Sequence, residues 1–340
     1  MSNDSTRSII ELWKAGTKKT EMEKITGISR RTIGRIIERY KDSGGTPEKE
    51  DIVEVIGLTP DDTIDGEDIL NKMIEAQGSI VESITKRYDQ HIKIHDDKPI
   101  AIGLLSDLHL GNKYVDYKAI KEEAEIIADT DGFYAFGMGD YHDNWIGKLE
   151  GIQREMPISF SSELALLEWF FDTLRDDLLV VVGGNHDTGR TKRISGIDYV
   201  KKLLKGITTL YDPDEVRFTL HLGDAKWRFK CRHLWMGTSV YNDTHGIEKD
   251  PRFGDDEFDV GIGGHTHRGT LFREFMFHHK KRLAILLGTY KYHDSYATRL
   301  GFPQSPKNSA SGALILFPDG RMRTEDSIFE AAEYLKFLRS

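Results

Sequence analysis

Four times between residues 100 and 265, a short continuous run of apolar residues empties straight into a polar turn. Ile100–Leu105 runs into Ser106-Asp107, Phe133–Met138 into Gly139-Asp140, Leu178–Val182 into Gly183-Gly184-Asn185, and Val260–Ile262 into Gly263-Gly264-His265. A strand that is apolar on both faces belongs inside a sheet covered on both sides, and such sheets collect their sites at the strand ends. Helical periodicity over Ala119–Ala128 and Ser162–Leu174 supplies elements to cover the sheet. Arg217–Leu222, Gly223-Asp224 and Lys226–Arg232 read as a hairpin. An α/β domain is therefore expected from Lys98 to Ser340.

The strand ends carry a consistent set of metal-ligand types. They are Asp107-Leu108-His109, Gly139-Asp140-Tyr141-His142-Asp143-Asn144, Gly184-Asn185-His186-Asp187, His233 after the strand Trp227–Arg232, and Gly264-His265-Thr266-His267. Alternation along an extended segment would put Asp107 and His109 on one side, and likewise His265 and His267. The glycines before Asp140, Asn185 and His265 suit sharp turns that bring backbone close to a site. With Cys231 as the single cysteine, an intrachain disulfide and a cysteine-based zinc site are both excluded. Any metal is left to His, Asp, Glu and Asn. Cys231 itself is expected in the core. His278 and His279 stand before Lys280, Lys281 and Arg282 and are expected in solvent.

The series D-x-H, G-D-x-x-D-N, G-N-H-D, an isolated His and G-H-T-H, in that order, resembles the calcineurin-like metallophosphoesterases over Ile100–Phe317. The resemblance implies a four-layer αββα sandwich holding two divalent ions, bridged by Asp140 and a hydroxide. One ion would take Asp107, His109, Asp140 and His267. The other would take Asp140, Asn185, His233 and His265, with His221 and His245 the nearby alternatives to His233. Imidazoles mixed with carboxylates suit Mn, Zn or Fe better than Mg or Ca. His186 would stabilise transition-state charge or protonate the leaving oxygen, with Asp143 holding its ring. His245 could touch substrate, as could Asn144. In the protein Ser/Thr phosphatase branch the position of Asn144 is an arginine that grips a terminal phosphate. Its loss here moves the expectation toward a phosphodiesterase or nuclease.

Ahead of this domain, residues 1–45 read as three short helices. The first holds Ile9, Ile10, Leu12 and Trp13 and stops at Gly16; the second holds Met22 and Ile25 and stops at Gly27. Ser29 is a suitable N-cap for a third, with Ile33, Ile36, Ile37 and Tyr40 on one stripe. Gly27–Arg35 resembles the turn and recognition helix of resolvase- and transposase-type helix-turn-helix domains. That resemblance implies Arg30, Arg31 and Thr32 at a major groove, with Arg35 among the basic residues on phosphates. The net charge of −9 gives no global attraction for nucleic acid, but the N-terminal end is locally basic and the stretch after it acidic. Residues 46–97 read as an acidic linker followed by a helix, Glu67–Tyr88, that packs on the large domain or on a partner chain.

No apolar run approaches the roughly 18 residues that span a bilayer, and Met1-Ser2-Asn3-Asp4 does not open a secretory signal. The expectation is a cytoplasmic, DNA-directed phosphodiesterase, in a setting such as a mobile element or phage. The alternatives are a phosphoesterase acting on a small nucleotide or phosphoester, and a DNA-binding regulator with an inactive metal domain.

Overall fold

The computed structural model describes residues 3–42, 44, 66–67, 69–77, 90–143, 157–237, 239, 241–253, 258–292, 298 and 310–340. The chain divides into two compact units, Met1–Met73 and Ile74–Ser340.

In the first unit, α1 (Asn3–Lys14), α2 (Lys19–Thr26) and α3 (Arg30–Asp42) enclose a small core. Ile9, Met22, Ile33 and Ile37 are buried at its centre, flanked by Leu12, Trp13, Ile28 and Ile36. The punctuation follows the sequence. Gly16 and Gly27 take left-handed φ of 78° and 69° after α1 and α2, a conformation that costs glycine nothing. Ser29 Oγ accepts from Thr32 N–H at 3.4 Å and opens α3. Ile25 departs from the helical stripe and is exposed. Of the helix expected over Glu67–Tyr88, residues 67 and 69–77 are described and are helical. The rest of it, and linker residues 46–65, lie outside the described residues.

The second unit is built on two six-stranded sheets. The first sheet, in spatial order, is β12 (Met322–Glu325), β11 (Gly312–Leu316), β2 (Ile100–Leu105), β3 (Phe133–Gly137), β4 (Leu178–Val182) and β5 (Leu210–Asp212). β2 to β5 are parallel neighbours and β11 and β12 are antiparallel. The second sheet is β1 (His91–Ile94), β6 (Val216–Leu222), β7 (Ala225–Cys231), β8 (Val260–Gly263), β10 (Lys280–Leu286) and β9 (Leu271–Phe277).

The central strands of the first sheet send alternate residues into two different cores. Ile102, Leu104, Phe136, Val180 and Val182 meet Phe218, Leu220, Phe229, Ile262 and Ile285 between the sheets. Ala101, Ala135, Val181 and Ile315 face outward. There they pack under α4 (Tyr117–Asp129), α5 (Phe160–Thr173) and, further along the chain, the C-terminal helix Ile328–Arg339. Over the second sheet, Ile247 of the helix His245–Phe253 packs with Trp235, Phe258 and Ala284. The result is the expected αββα sandwich. Cys231 lies between the sheets, where burial pushes its thiol well above its ordinary range.

β2 and β4 coincide with their expected spans, and the hairpin is β6–β7. Strand pairing begins at His91, ahead of the expected start at Lys98, because β1 pairs in parallel with β6. Among the described residues no helix is long and apolar enough to cross a membrane.

Candidate metal centre

The parallel strands β2, β3 and β4, with β8 from the facing sheet, deliver their C-terminal turns to one place. The backbone there is unusual. Asp107, His109, Asp140, His265 and His267 all have left-handed φ, at 51°, 48°, 54°, 72° and 56°. The expected extended alternation is therefore replaced by a bend at each of these residues. Such φ values cost roughly 1–3 kcal/mol each for a non-glycine residue and persist only where the surroundings enforce them.

The enforcing contacts are specific. Asp107 N–H donates to Gly139 O at 2.9 Å and His109 N–H to Asp140 O at 3.0 Å. Asp107 Oδ2 accepts from His265 N–H at 2.9 Å and from Ser106 Oγ at 2.6 Å. Asp187 Oδ2 accepts from the N–H of Asp140 at 2.7 Å and of Gly184 at 2.9 Å, lacing two of the loops together. Gly184 and Gly264 are required by close approach. A Cβ at Gly184 would lie 2.1 Å from Asp140 N, and one at Gly264 would lie 2.1 Å from Ser106 Oγ. Asn185 begins a wide, π-type helical turn, Asn185–Lys192, a form often found at functional sites.

Two donor clusters result. In the first, His267 Nε2 is 3.0 Å from Asp107 Oδ1 and 3.0 Å from His109 Nε2. In the second, His233 Nε2 is 3.2 Å from Asp140 Oδ2, 3.1 Å from Asn185 Oδ1 and 3.2 Å from His265 Nδ1. The ligating atoms of Asp107, His109 and His267, and those of Asp140, His233 and His265, each lie within 4.8 Å of one another. Asp140, expected in both ligand sets, joins the second by this measure. Pairs of imidazole nitrogens facing each other at about 3 Å, beside buried carboxylates, fit a borderline divalent cation.

The electrostatics point the same way. Burial raises the pKa of Asp107, but His233, His109 and His267 outweigh it and hold the carboxyl far below its usual range. Burial lowers the pKa of His233, yet Asp140 and Asp107 carry it up to about 10. His109 is disfavoured as a cation by burial and by Lys291, and is still raised to about 9 by Asp107 and Asp143. Burial and His233 lower His265. The buried carboxylates thus favour positive charge on His109 and His233, the charge that a bound cation would supply.

The remaining expected residues are placed as follows. His186 is buried, donates its N–H to Asp140 Oδ1 at 2.8 Å, and sets its ring edge-on to His109 with centroids 4.9 Å apart. Asp143, expected to hold His186, makes its closest imidazole approach to His109, with Oδ1 2.7 Å from Nδ1. The Nδ1–H does not aim along that line, so this is an ion-pair contact and not an aligned hydrogen bond. The facing atoms of Asp143, His109 and His186 still lie within 4.8 Å of one another. His221 is on the surface beside His91, with ring nitrogens 3.0 Å apart, which leaves His233 as the histidine in the cluster. His245 is half-buried at the start of its helix. Asn144 lies outside the described residues. On α3, Arg31 and Arg35 are exposed, Arg30 is paired with Glu23 at 2.9 Å, and Thr32 Oγ1 is 3.1 Å from Ser29 Oγ. His278 and His279 form the exposed turn of the β9–β10 hairpin.

Three residues of the site are not singled out by the sequence. Asp187 stands inside a motif, but nothing in the string gives it a role. Asn112 follows Asp107-Leu108-His109-Leu110-Gly111, a position close enough to the ligands to draw attention. Lys291 follows the apolar run of β10 and Gly288, the same strand-then-glycine pattern as the ligand loops, but a lysine gives no ligand signal.

No protein-family model matches the sequence, and no curated protein matches it. Solved structures to which the chain has some similarity include Vacuolar Protein Sorting 29 from Cryptosporidium parvum, with 18% identity over 67% of this chain and 96% of that one, TM-score 0.36. The nuclease MPE of Pseudomonas putida has 15% identity over 66% and 86%, TM-score 0.30. The calcineurin-like phosphoesterase YfkN of Bacillus subtilis has 10% identity over 72% and 100%, TM-score 0.33. At TM-scores of 0.30 to 0.36 these likenesses assign neither a fold nor a chemistry to this chain. It is the side chains of the cluster that speak to chemistry.

Proposed function

We propose that this chain is a two-cation phosphoesterase whose substrate is a phosphodiester, and that the diester is DNA. The observation that carries the reading is the pair of donor clusters on strained bends, with a buried histidine, His186, beside them. Asp107, His109 and His267 would hold one divalent ion; Asp140, Asn185, His233 and His265 would hold the other, with Asp140 reaching both. Two such ions, when bound, neutralise the phosphoryl oxygens and make water a better nucleophile at neutral pH. The protein's own part is to fix the donors, exclude bulk water and place His186. Its backbone N–H is pinned to Asp140 and its ring stands edge-on to His109, so its imidazole would give a proton to the leaving oxygen or stabilise developing charge. Asn144, where the protein phosphatase branch has a phosphate-gripping arginine, favours a diesterase over a protein phosphatase.

DNA enters through the first unit. Arg31 and Arg35 project from a short helix whose other face is the core of that unit, an arrangement that suits phosphate and groove contacts. Thr32 and Arg30 would join them, although Arg30 is shared with Glu23. The test pairs two assays on full-length protein, wild type and Arg31→Ala/Arg35→Ala. The variant should bind duplex DNA with a salt slope shallower by about one for each phosphate it no longer neutralises, and should hydrolyse a small diester at the wild-type rate in Mn²⁺. An unchanged slope would remove the DNA tether and leave the small-phosphoester reading standing.

A further inference from the structure

The segment Thr289-Tyr290-Lys291 touches the first cluster twice, by independent routes. Thr289 Oγ1 donates to Asp107 O at 2.8 Å, and Tyr290 N–H approaches the same carbonyl at 3.3 Å. Asp107 is the first of the left-handed ligands, so these bonds land on a backbone that needs holding. The second route is through a side chain. Lys291 is buried, and its Nζ lies 3.0 Å from Asp143 Oδ1, the same oxygen that faces His109 Nδ1 at 2.7 Å. Asn112 Nδ2 donates to the other oxygen at 2.6 Å. The segment is itself tied down. Its Tyr290 hydroxyl donates to the buried Glu123, Asp116 N–H donates to Tyr290 O at 2.8 Å, and Lys291 forms a bridge with Val115.

We infer that Thr289–Lys291 is a brace for the first cation subsite, and that Lys291 is its positioning residue. Lys291 is out of reach of a substrate, being buried behind Asp143. It anchors a carboxylate that stands behind a ligand imidazole. A carboxylate 2.7 Å from the far side of a ligand imidazole restrains the ring by charge, and loss of such a supporting group typically costs 10–100-fold in metal affinity. A buried ammonium is an unusual anchor, because a lysine is taken out of water only where a fixed negative charge compensates it. Here it compensates Asp143, so that this carboxylate is buried with a fixed positive charge of its own. The brace therefore grips both Asp107 and His109 from behind, one through its carbonyl and one through Asp143.

This inference rests on the two-cation reading, and the experiment separates their failures. Mn²⁺ is titrated calorimetrically into metal-free full-length protein: wild type, Thr289→Val, Lys291→Met, Lys291→Arg, His109→Ala and the His109→Ala/Lys291→Met double variant. Wild type that binds no Mn²⁺ would end the two-cation reading, and with it the brace. If wild type binds two ions, Lys291→Met should weaken one of them at least tenfold and leave the other within about twofold. Lys291→Arg should recover part of the loss, and Thr289→Val should weaken the same ion more mildly. In the His109→Ala background, Lys291→Met should add little, because its effect runs through that imidazole. Two ions bound with wild-type affinity in Lys291→Met, or losses that multiply independently in the double variant, would overturn the inference. Should Lys291→Met fail to fold, Asp143→Asn/Lys291→Met removes both charges together and takes its place. That protein must show the same one-ion loss, and wild-type binding of both ions in it would overturn the inference equally.

Discussion

Gly184→Ala isolates the geometric requirement of the centre from its chemistry, because it adds one methyl group and changes no ligand. The new Cβ would sit 2.1 Å from Asp140 N and 2.2 Å from Asp140 Oδ1, where ordinary contact begins at 3.4 Å, so something must give by about 1.3 Å. The obstacle is backbone that already donates to Asp187 at 2.7 Å, so it cannot swing aside as a side-chain tip would. Overpacking of a closed site costs about 1–3 kcal/mol. In a unit of this size each kcal/mol moves Tm by about 2–4 °C, so the metal-free variant should melt roughly 2–12 °C below wild type. Ligand positions tolerate only about ±0.2 Å, so the ion held by Asp140, Asn185, His233 and His265 should bind far more weakly. Gly189→Ala is the control from the same loop, since its Cβ would meet Asn185 Cβ at an ordinary 3.5 Å. The assay is thermal denaturation of both variants without metal, then Mn²⁺ titration. A Gly184→Ala protein with wild-type Tm and wild-type affinity would refute the close-approach argument, and so would equal damage from Gly189→Ala.

His186→Ala should retain both ions and lose about 10²–10⁴-fold in diester hydrolysis; loss of an ion, by metal analysis, would make His186 a ligand instead. Cation binding should expel protons, because His109 and His233 are raised from 6.5 to about 9 and about 10 in the metal-free protein. Calorimetry at pH 7.5 in buffers of different ionisation enthalpy should therefore show proton release, and none would contradict the charge balance. The same two groups have folded-state pKa values above their unfolded ones. Their contribution to metal-free stability is thus full below about pH 6.5 and is lost as pH rises through 9 to 10, and Tm measured across that range should fall.

Residue type is enough to find the clustered donors and the central strands, and it is silent about what bends the chain at them. Ile100–Leu105 and Leu178–Val182 are legible because they are apolar on both faces, a pattern with few other interpretations. The edge strand Leu271–Phe277 is not, since its residues are mostly exposed and its Arg273 and Glu274 break any apolar run. The D-x-H and G-H-T-H strings are legible as candidate donors, but not as pairs of left-handed residues, because histidine and aspartate, though enriched there, take positive φ only in a minority of cases. The non-ligating letters of the motifs carry that missing information. Gly264 leaves room for Ser106 and Asp107, Gly184 leaves room for Asp140, and Asp187 receives the backbone N–H groups of Gly184 and Asp140. A motif is a contiguous string because the atoms that enforce a bend usually sit within a few residues of it, or of the bend facing it. Thr289 and Lys291 work on Asp107 and Asp143 from far along the chain, after a strand that ends in no ligand. Support of that kind leaves no string to read, and only the three-dimensional arrangement connects Lys291 to His109.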